Sequence, residues 1–418
     1  MKKIILLSLI FVISTFFVSA QSYTSAANGN WTNPTTWSPP GIPVTFTDVT
    51  INHAVVLNTD FALNSGEIYI GSSGSLIEDI SDRNFVIYGG EMTNNGIFTI
   101  SNFWNDGGDF TNNGTSNIRM LLNESYLMNT GLIDQVDSLM NNDELYNYSG
   151  TINVMDFASV LYIENDGLIA GTNFFNDGGF DNYDEIDFEN FTNADTAYNE
   201  GWIYFNNFTN IGYFDNYEII EGSHDFTNVG EFNNYSLFSI DNDFLNVDST
   251  NHEAYFYTEG LVIVGNNWLN IDTIDGTNTG QFCIGNNTGN DGDMIGDFDF
   301  CDNTPPGSPP YIDYNTGTID VNIVYCITPC GTNINNISDN RLLNIYPNPV
   351  TDHAFIELSS FDYPAIFELY DITGQMVESI NIESNITLFQ RNNLKSGLYF
   401  YSVKSEEKII GKGKIVIQ

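Results

Sequence analysis

The feature that most restricts how this chain can fold is an aromatic beat of six residues. Phe226, Phe232, Phe238 and Phe244 stand six apart; Phe208, Phe214, Ile220 and Phe226 carry the count upstream, and Met92, Phe98, Trp104 and Phe110 repeat it earlier. Three sixes make a larger unit of 17 or 18 residues, opened in turn by Phe174, Phe191, Phe208, Phe226 and Phe244. The openings share one wording, Phe191-Thr192-Asn193, Phe208-Thr209-Asn210 and Phe226-Thr227-Asn228, with Phe110-Thr111-Asn112 earlier. A fixed short period is the mark of stacked coils, each burying its apolar face against the next. Residues i and i+2 of a strand share a face, so Phe226 and Asn228 point inward while Thr227 meets solvent. The reading places each Asn near a bend, in left-handed backbone and bonding the corner amides. Gly96, Gly114, Gly212 and Gly230 supply other corners.

The sequence therefore predicts an all-β fold: a parallel β-solenoid of about 17–18 residues and three short strands per coil. From Met92 to Trp268 there is room for about ten coils, a rod on the order of 50 Å at ~4.8 Å between stacked strands. A sandwich of short hairpins also turns often, but it would not hold a six-residue phase for so long. Gly, Asn and Thr interrupt every candidate amphipathic helix.

Both ends of such a stack need caps. Residues 21–90 are read as the amino-terminal cap and first coils: Trp31 and Trp37, then Pro39-Pro40-Gly41, then the strands Asp48-Val49-Thr50-Ile51 and Val55-Val56-Leu57. This stretch resembles the tryptophan-rich opening of bacterial surface β-helix proteins. At the far end, Cys283 and Cys301 lie 18 residues apart, one coil, and are expected to pair, leaving Cys326 and Cys330 a local bridge. Closing such a loop is worth ~3 kcal/mol on the chain-entropy model. A zinc site is disfavoured because no C-x2-C spacing is present. Prolines 305–306 and 309–310 and the polar stretch 331–340 mark the exit from the solenoid region, 91–330, and a linker.

Lys2 and Lys3, the apolar run Ile4–Val18 and the small residues Val18-Ser19-Ala20 form a signal-peptide pattern over 1–20, with cleavage between Ala20 and Gln21. The run is short of the ~20 residues a spanning helix needs. The cysteines should therefore meet an oxidising compartment. The chain carries 54 acidic against 11 basic residues, a net charge of −43, and between Ile4 and Asn340 its only cations are Arg83 and Arg119. A nucleic-acid partner, which needs clustered cations, is excluded on that ground, and anionic membrane surfaces are disfavoured.

After Asn340 the composition changes: residues 341–418 hold seven of the eleven basic residues and nine acids. Short alternating strands with turns between them predict a small antiparallel Ig-like β-sandwich. Tyr346-Pro347-Asn348-Pro349 with Asp352, a turn from Asp371 to Gly374, Leu394-x-x-Gly397-x-Tyr399, and a final strand led by Lys412 complete the set. Together they resemble the type A carboxy-terminal sorting domain of the type IX secretion system. The resemblance implies recognition of 341–418 by that machinery and passage through the periplasm. It also implies display at the outer-membrane surface or release, with any membrane attachment coming only from an anchor added after sorting.

Catalytic chemistry is hard to find. A β-helix lyase needs a cationic base, and Arg83 and Arg119 stand outside any basic or histidine cluster. A β-helix glycosidase needs paired carboxylates; Asp177 with Asp181 and Asp184 with Asp187 are available, as chance allows in so acidic a chain. His53, His224, His252 and His353 are scattered. Asp291, Asp293, Asp297 and Asp299 form the one candidate metal cluster, suited to calcium by its oxygen donors though not in EF-hand spacing. No other cofactor is implied. The expectation is a secreted or cell-surface structural or adhesive solenoid rather than an enzyme, with extracellular glycans as candidate ligands. The rival is a polysaccharide-active β-helix enzyme or carbohydrate-binding module, which a side lined by exposed aromatics and converging carboxylates would favour.

Overall fold

The computed structural model describes residues 21–249 and 253–326. In the C-terminal unit it describes 344–346, 350, 353–357, 365–370, 376–382, 386–391, 394–395, 397–405 and 408–417. The chain divides into two units, Met1–Thr328 and Pro329–Gln418. Strands make up 64% of it, and the one helical turn among the described residues is the 3-10 segment Pro34–Thr36.

The first unit is a parallel β-solenoid over residues 49–302, with about 14 turns. One coil serves for all. Phe226–Asn228 forms its third side, Glu231–Asn234 its first and Leu237–Ile240 its second. The next coil repeats these as Phe244–Asn246, Tyr255–Thr258 and Leu261–Val264, in register and parallel. The winding extends past the ten coils counted from aromatics. At the amino end aliphatic residues hold the inward positions, Val49 over Ile68 and Val55 over Leu76, and a count keyed to Phe passes over them.

Inward residues stack into continuous columns. Phe174, Phe191, Phe208, Phe226 and Phe244 stand directly over one another, with successive ring centroids 4.8–5.3 Å apart. Each buried ring contributes about 2 kcal/mol by leaving water, and each aromatic pair about 1 kcal/mol more.

Two parts of the six-residue reading are corrected. Trp104 is not a core residue: Phe103 holds the column, aligned with Phe85 and Leu121, and Trp104, one step along the strand, faces outward with its Nε1 donating to Glu124 Oε2 at 2.7 Å. Phe110-Thr111-Asn112 lies on the first side, over Met92 and Asn94, whereas the later Phe-Thr-Asn triplets lie on the third. The triplet is the signature of a strand ending in Asn, and both sides end that way.

The asparagines also do something other than expected. None of the described ones has a positive φ; those of the two ladders end their strands inside the stack, with 0% exposure from Asn94 to Asn290. On the first side each Nδ2 donates to the next Oδ1 at 2.7–2.9 Å, from Asn94 through Asn112, Asn129, Asn147, Asn165, Asn182, Asn199 and Asn216 to Asn234. Most rungs also donate to carbonyls of their own corner and of the next coil; Asn182 reaches Asp184 O at 3.1 Å and Trp202 O at 3.2 Å. A second ladder on the third side begins Asn105, Asn123, Asn141. It meets Ser159 at 3.2 Å, then resumes at Asn176 and runs to Asn315. Among the described residues the buried Oδ1 atoms without a partner belong to Asn105 and Asn176, the first rung of each stretch.

Gly96, Gly114, Gly212 and Gly230 mark their corners for closeness rather than for left-handed backbone, which Gly66, Gly90 and Gly107 do adopt at other corners. A Cβ on Gly114 would overlap the Gly96 carbonyl oxygen, and one on Gly230 the Gly212 carbonyl. At the amino end Trp31 and Trp37 pack edge-on at 5.1 Å, both 1% exposed, and Trp37 Nε1 donates to Trp31 O at 2.8 Å.

The expected cysteine pairing is overturned at the other end. Cys283 and Cys301 do stand in register, but Cys301 is bonded to Cys326, 25 residues on, with Cα atoms 4.6 Å apart. Neighbours in a parallel ladder point their Cβ vectors the same way, whereas a disulfide needs them to converge. The chain passes Val324 alongside Asp299, with Phe300 N donating to Val324 O at 2.8 Å, and that brings Cys326 within reach. The local Cys326–Cys330 bridge falls with the same finding. Cys283 is also disulfide-bonded, and Cys330 lies outside the described residues.

In the second unit, Asn344–Tyr346, His353–Glu357 and Ile386–Gln390 form one antiparallel sheet. Met376–Ile382, Ala365–Tyr370, Gly397–Ser405 and Lys408–Ile417 form another. Phe389 of the first packs on Phe367 of the second at 5.9 Å, in one buried core.

Asn182→Ala should cost about 3 kcal/mol, because it removes one buried hydrogen bond to each of Asn165 and Asn199 and leaves the Asp184 and Trp202 carbonyls without their amide donor. Ser159→Asn should raise the melting temperature by joining the two stretches of the third-side ladder. Thermal unfolding of both variants checks the ladder. Mass mapping of the unreduced protein should recover Cys301 linked to Cys326 and no Cys283–Cys301 link.

Candidate functional site

With alternate residues inside, the outer surface of the solenoid consists of columns too. On the first side, the line just before the inward residue runs Glu144, Tyr162 in one stretch and Tyr213, Glu231, Tyr255 in another. The line just after it runs Tyr146, Glu164, Asp181, Tyr198, Asp215, then Asn233, Tyr257, Asp275. Tyr148, Tyr183, Tyr217 and Tyr235 stand on the adjoining corner, just past the ladder asparagines Asn147, Asn182, Asn216 and Asn234. The outcome is a band of tyrosines interleaved with carboxylates.

The hydroxyls bind those carboxylates. Tyr162 Oη donates to Asp181 Oδ2 at 2.7 Å and lies 3.3 Å from Glu164 Oε2. Tyr255 donates to Asp275 at 2.7 Å, Tyr257 to Glu259 at 2.5 Å and Tyr217 to Asp215 at 3.3 Å. The rings meet along the band: Tyr126 and Tyr146 at 5.4 Å, Tyr217 stacked on Tyr235 at 4.8 Å. Their outer faces stay open, Tyr183, Tyr198 and Tyr217 being 40–45% exposed.

Burial first, and then the neighbouring carboxylates, raise these phenols. Tyr148 is pushed up to about 12 by burial and by its hydrogen bond to Glu164, Tyr217 to about 12 by burial and the charge of Asp215, and Tyr257 to about 12 by burial and its bond to Glu259. Tyr162, Tyr213 and Tyr255 shift the same way, burial again coming first. The band is therefore a neutral, protonated aromatic surface with negative charge set between the rings.

The carboxylate pairs read from sequence are separated by the coil. Asp181 belongs to this band, while Asp177 follows Asn176 at the corner after the third side. Asp184 sits at the corner after the first side, its carboxyl raised by burial and then by the charge of Asp166, and Asp187 is on a second-side strand. Arg83 forks onto Asp79 at 3.0 and 2.7 Å, and Arg119 reaches Asp82 of the same loop at 2.8 Å. His53 Nδ1 contacts Ser25 Oγ at 3.0 Å and His224 Nδ1 contacts Ser223 Oγ at 3.0 Å. His353 lies in the C-terminal unit against Phe355, and His252 lies outside the described residues.

Asp291 accepts from Thr316 Oγ1, Asp293 from Thr318 Oγ1 at 2.5 Å, and Asp299 from Gln281 Nε2 at 3.3 Å; Asp297 is exposed beyond its strand. Among the described residues no three His, Cys, Asp or Glu side chains are grouped to hold a metal ion.

The band was missed from sequence because tyrosines are spread over the whole chain. The available signal was local: in Tyr213-Phe214 and Tyr255-Phe256-Tyr257, tyrosine sits one step from an inward aromatic.

Of the C-terminal motif, Tyr346 ends the strand Asn344–Tyr346 and Lys412 lies in Lys408–Ile417. Leu394 packs against the core and Tyr399, 8% exposed, is part of it. The Tyr399 hydroxyl donates back to Lys395 O at 2.9 Å, tying the turn before Gly397 to the strand after it. Pro347, Asn348, Pro349, Asp352, Asp371 and Gly374 lie outside the described residues, as does Ala20 of the cleavage pair, leaving Gln21 as the first described residue.

Residues 344–418 match the family described as the secretion system C-terminal sorting domain. The chain thus ends in a type IX sorting domain, which implies recognition by the type IX machinery and export to the cell surface or the medium. No curated protein matches the chain.

Raising the pH should expose the tyrosine shifts. A phenol raised in the folded state favours folding below its unfolded value of about 10. That contribution is lost as pH climbs toward the folded value near 12 of Tyr148. Phenolate absorbance should show a late-titrating group of tyrosines, and stability should fall across that interval.

Proposed function

We propose that the exported protein is a stiff, non-catalytic rod with a structural or adhesive role at the cell surface or in the surrounding matrix, reached by way of the periplasm. The observation that carries this reading is the run of buried amide ladders from coil to coil. A coil cannot tilt or slip against its neighbours without breaking them, so the solenoid holds its length and presents continuous sides. The few cations support it: Arg83 and Arg119 are engaged by loop carboxylates, which leaves neither poised as a base for uronate chemistry.

A second reading, in which the rod binds extracellular glycans, is favoured by the tyrosine band. Aromatic rings with open faces and flanking hydrogen-bond acceptors are what sugar rings stack on. Both readings are tested by incubating the full-length protein with acidic, neutral and amino polysaccharides while following binding and the appearance of new reducing or unsaturated ends. The expected result is binding without turnover; product formation would replace the rod by an enzyme and return attention to Asp181 and Asp184.

A further inference from the structure

We propose that the tyrosine–carboxylate band on the first side of the solenoid is a binding surface for a cationic polysaccharide, a β-linked polymer of free-amine glucosamine units. The inference deepens the glycan-binding reading and rests on it, by naming the surface and the charge of the ligand.

Three observations point to this chemistry. First, the rings are spread along one side. Tyr146, Tyr162, Tyr198, Tyr217 and Tyr257 fall in three adjoining columns over the coils between Glu144 and Thr258, so the surface suits an extended polymer with a repeating apolar face rather than one compact ligand. Second, the acceptors lie between the rings and are held there. Asp181 is fixed by Tyr162 at 2.7 Å and Asp275 by Tyr255 at 2.7 Å, and a carboxylate holding one phenol proton keeps lone pairs for further donors. An ammonium or hydroxyl stacked on the neighbouring ring would meet them, with the ring face itself attracting the cation.

Third, the charge excludes the opposite class. The chain has a net charge of −43, and the solenoid's two described arginines are both engaged by Asp79 and Asp82. A uronate or sulfated glycan would meet uncompensated repulsion along its whole length, while an amino polymer would meet attraction at every step. A flexible lysine-rich peptide satisfies the charge but offers nothing for the rings to stack on. Sugar rings joined in a stiff chain satisfy both.

The test uses the full-length protein and four probes: deacetylated chitin oligomers, their N-acetylated counterparts, alginate oligomers and polylysine. Binding is followed by calorimetry at low and high salt. The expected result is that the deacetylated oligomer binds roughly tenfold tighter than the acetylated one. It should also weaken with salt, while alginate does not bind. The double variant Y198A/Y217A removes rings that are 40 and 44% exposed, and should lose the deacetylated oligomer roughly tenfold while still unfolding as one cooperative transition, at a melting temperature lowered by the lost ring contacts with Tyr213 and Tyr235. D181N, which keeps the shape of the half-buried side chain held by Tyr162, should lose it and leave any weak binding of the acetylated oligomer in place.

Equal binding of acetylated and deacetylated oligomers would overturn this inference while leaving the glycan reading intact. Polylysine binding as tight as the oligomer, with Y198A/Y217A indifferent, would overturn it in favour of simple charge attraction. Silence from every glycan would remove the inference and the glycan reading together, and leave the rod.

Discussion

Everything in the solenoid depends on one constraint, that a buried primary amide must be paired on both of its ends. An asparagine inside the stack has a carbonyl to fill and two N–H groups to spend, with no water present, and the group that satisfies it best is the same amide one coil away. Asn182 receives from Asn165, donates to Asn199 and spends its remaining donor capacity on backbone carbonyls of its corner and of the next coil. Because the bond exists only when identical positions lie over one another, each ladder is also a register gauge. A slip of one residue would bury a solvent-facing side chain and orphan an amide at every coil.

The other parts follow from that register. Aromatic columns form because the residue two before each ladder Asn is held over its counterpart. The corners close so tightly that Gly114 and Gly230 are needed for room against the carbonyls of the coil before. A longer coil does not break the ladder: Asn246 and Asn270 are 24 residues apart and still bonded at 2.8 Å. The stack ends where matching residues run out. On the first side Asn234 passes to Thr258 at 3.3 Å, and that position becomes Gly276 and Gly296 in the last coils. Beyond them the chain lays Val324 beside Asp299 and is held by the Cys301–Cys326 bond.

Such a scaffold also shapes how function can be carried. Inward positions are committed to the ladders and columns, so chemical variety is confined to outward positions and corners, and any recognition must be written along a side. In this chain the writing is acidic nearly throughout, with tyrosine gathered on one side. The C-terminal sorting domain is built on different physics, an antiparallel pair of small sheets around Phe367 and Phe389. It carries the cations that the solenoid lacks.

Much of this was open to reading in the residues themselves. The period of the aromatics implied coils, the alternation around each Phe implied which side chains go in, and the Tyr346 to Lys412 motifs identified the sorting domain, because these properties are local and repeat along the chain. What required the tertiary structure was every relation between coils. Phe103 rather than Trp104 holds its column because strand register, not spacing, decides which residue faces in. The asparagines bond one another as well as their corners because their partners are about 17 or 18 residues away in sequence and adjacent in space. Cys301 pairs with Cys326 because parallel stacking aims its natural neighbour the wrong way. The tyrosine band exists only once coils are stacked, since the physical proximity of Tyr162 to Asp181 or of Tyr217 to Tyr235 is a product of the winding.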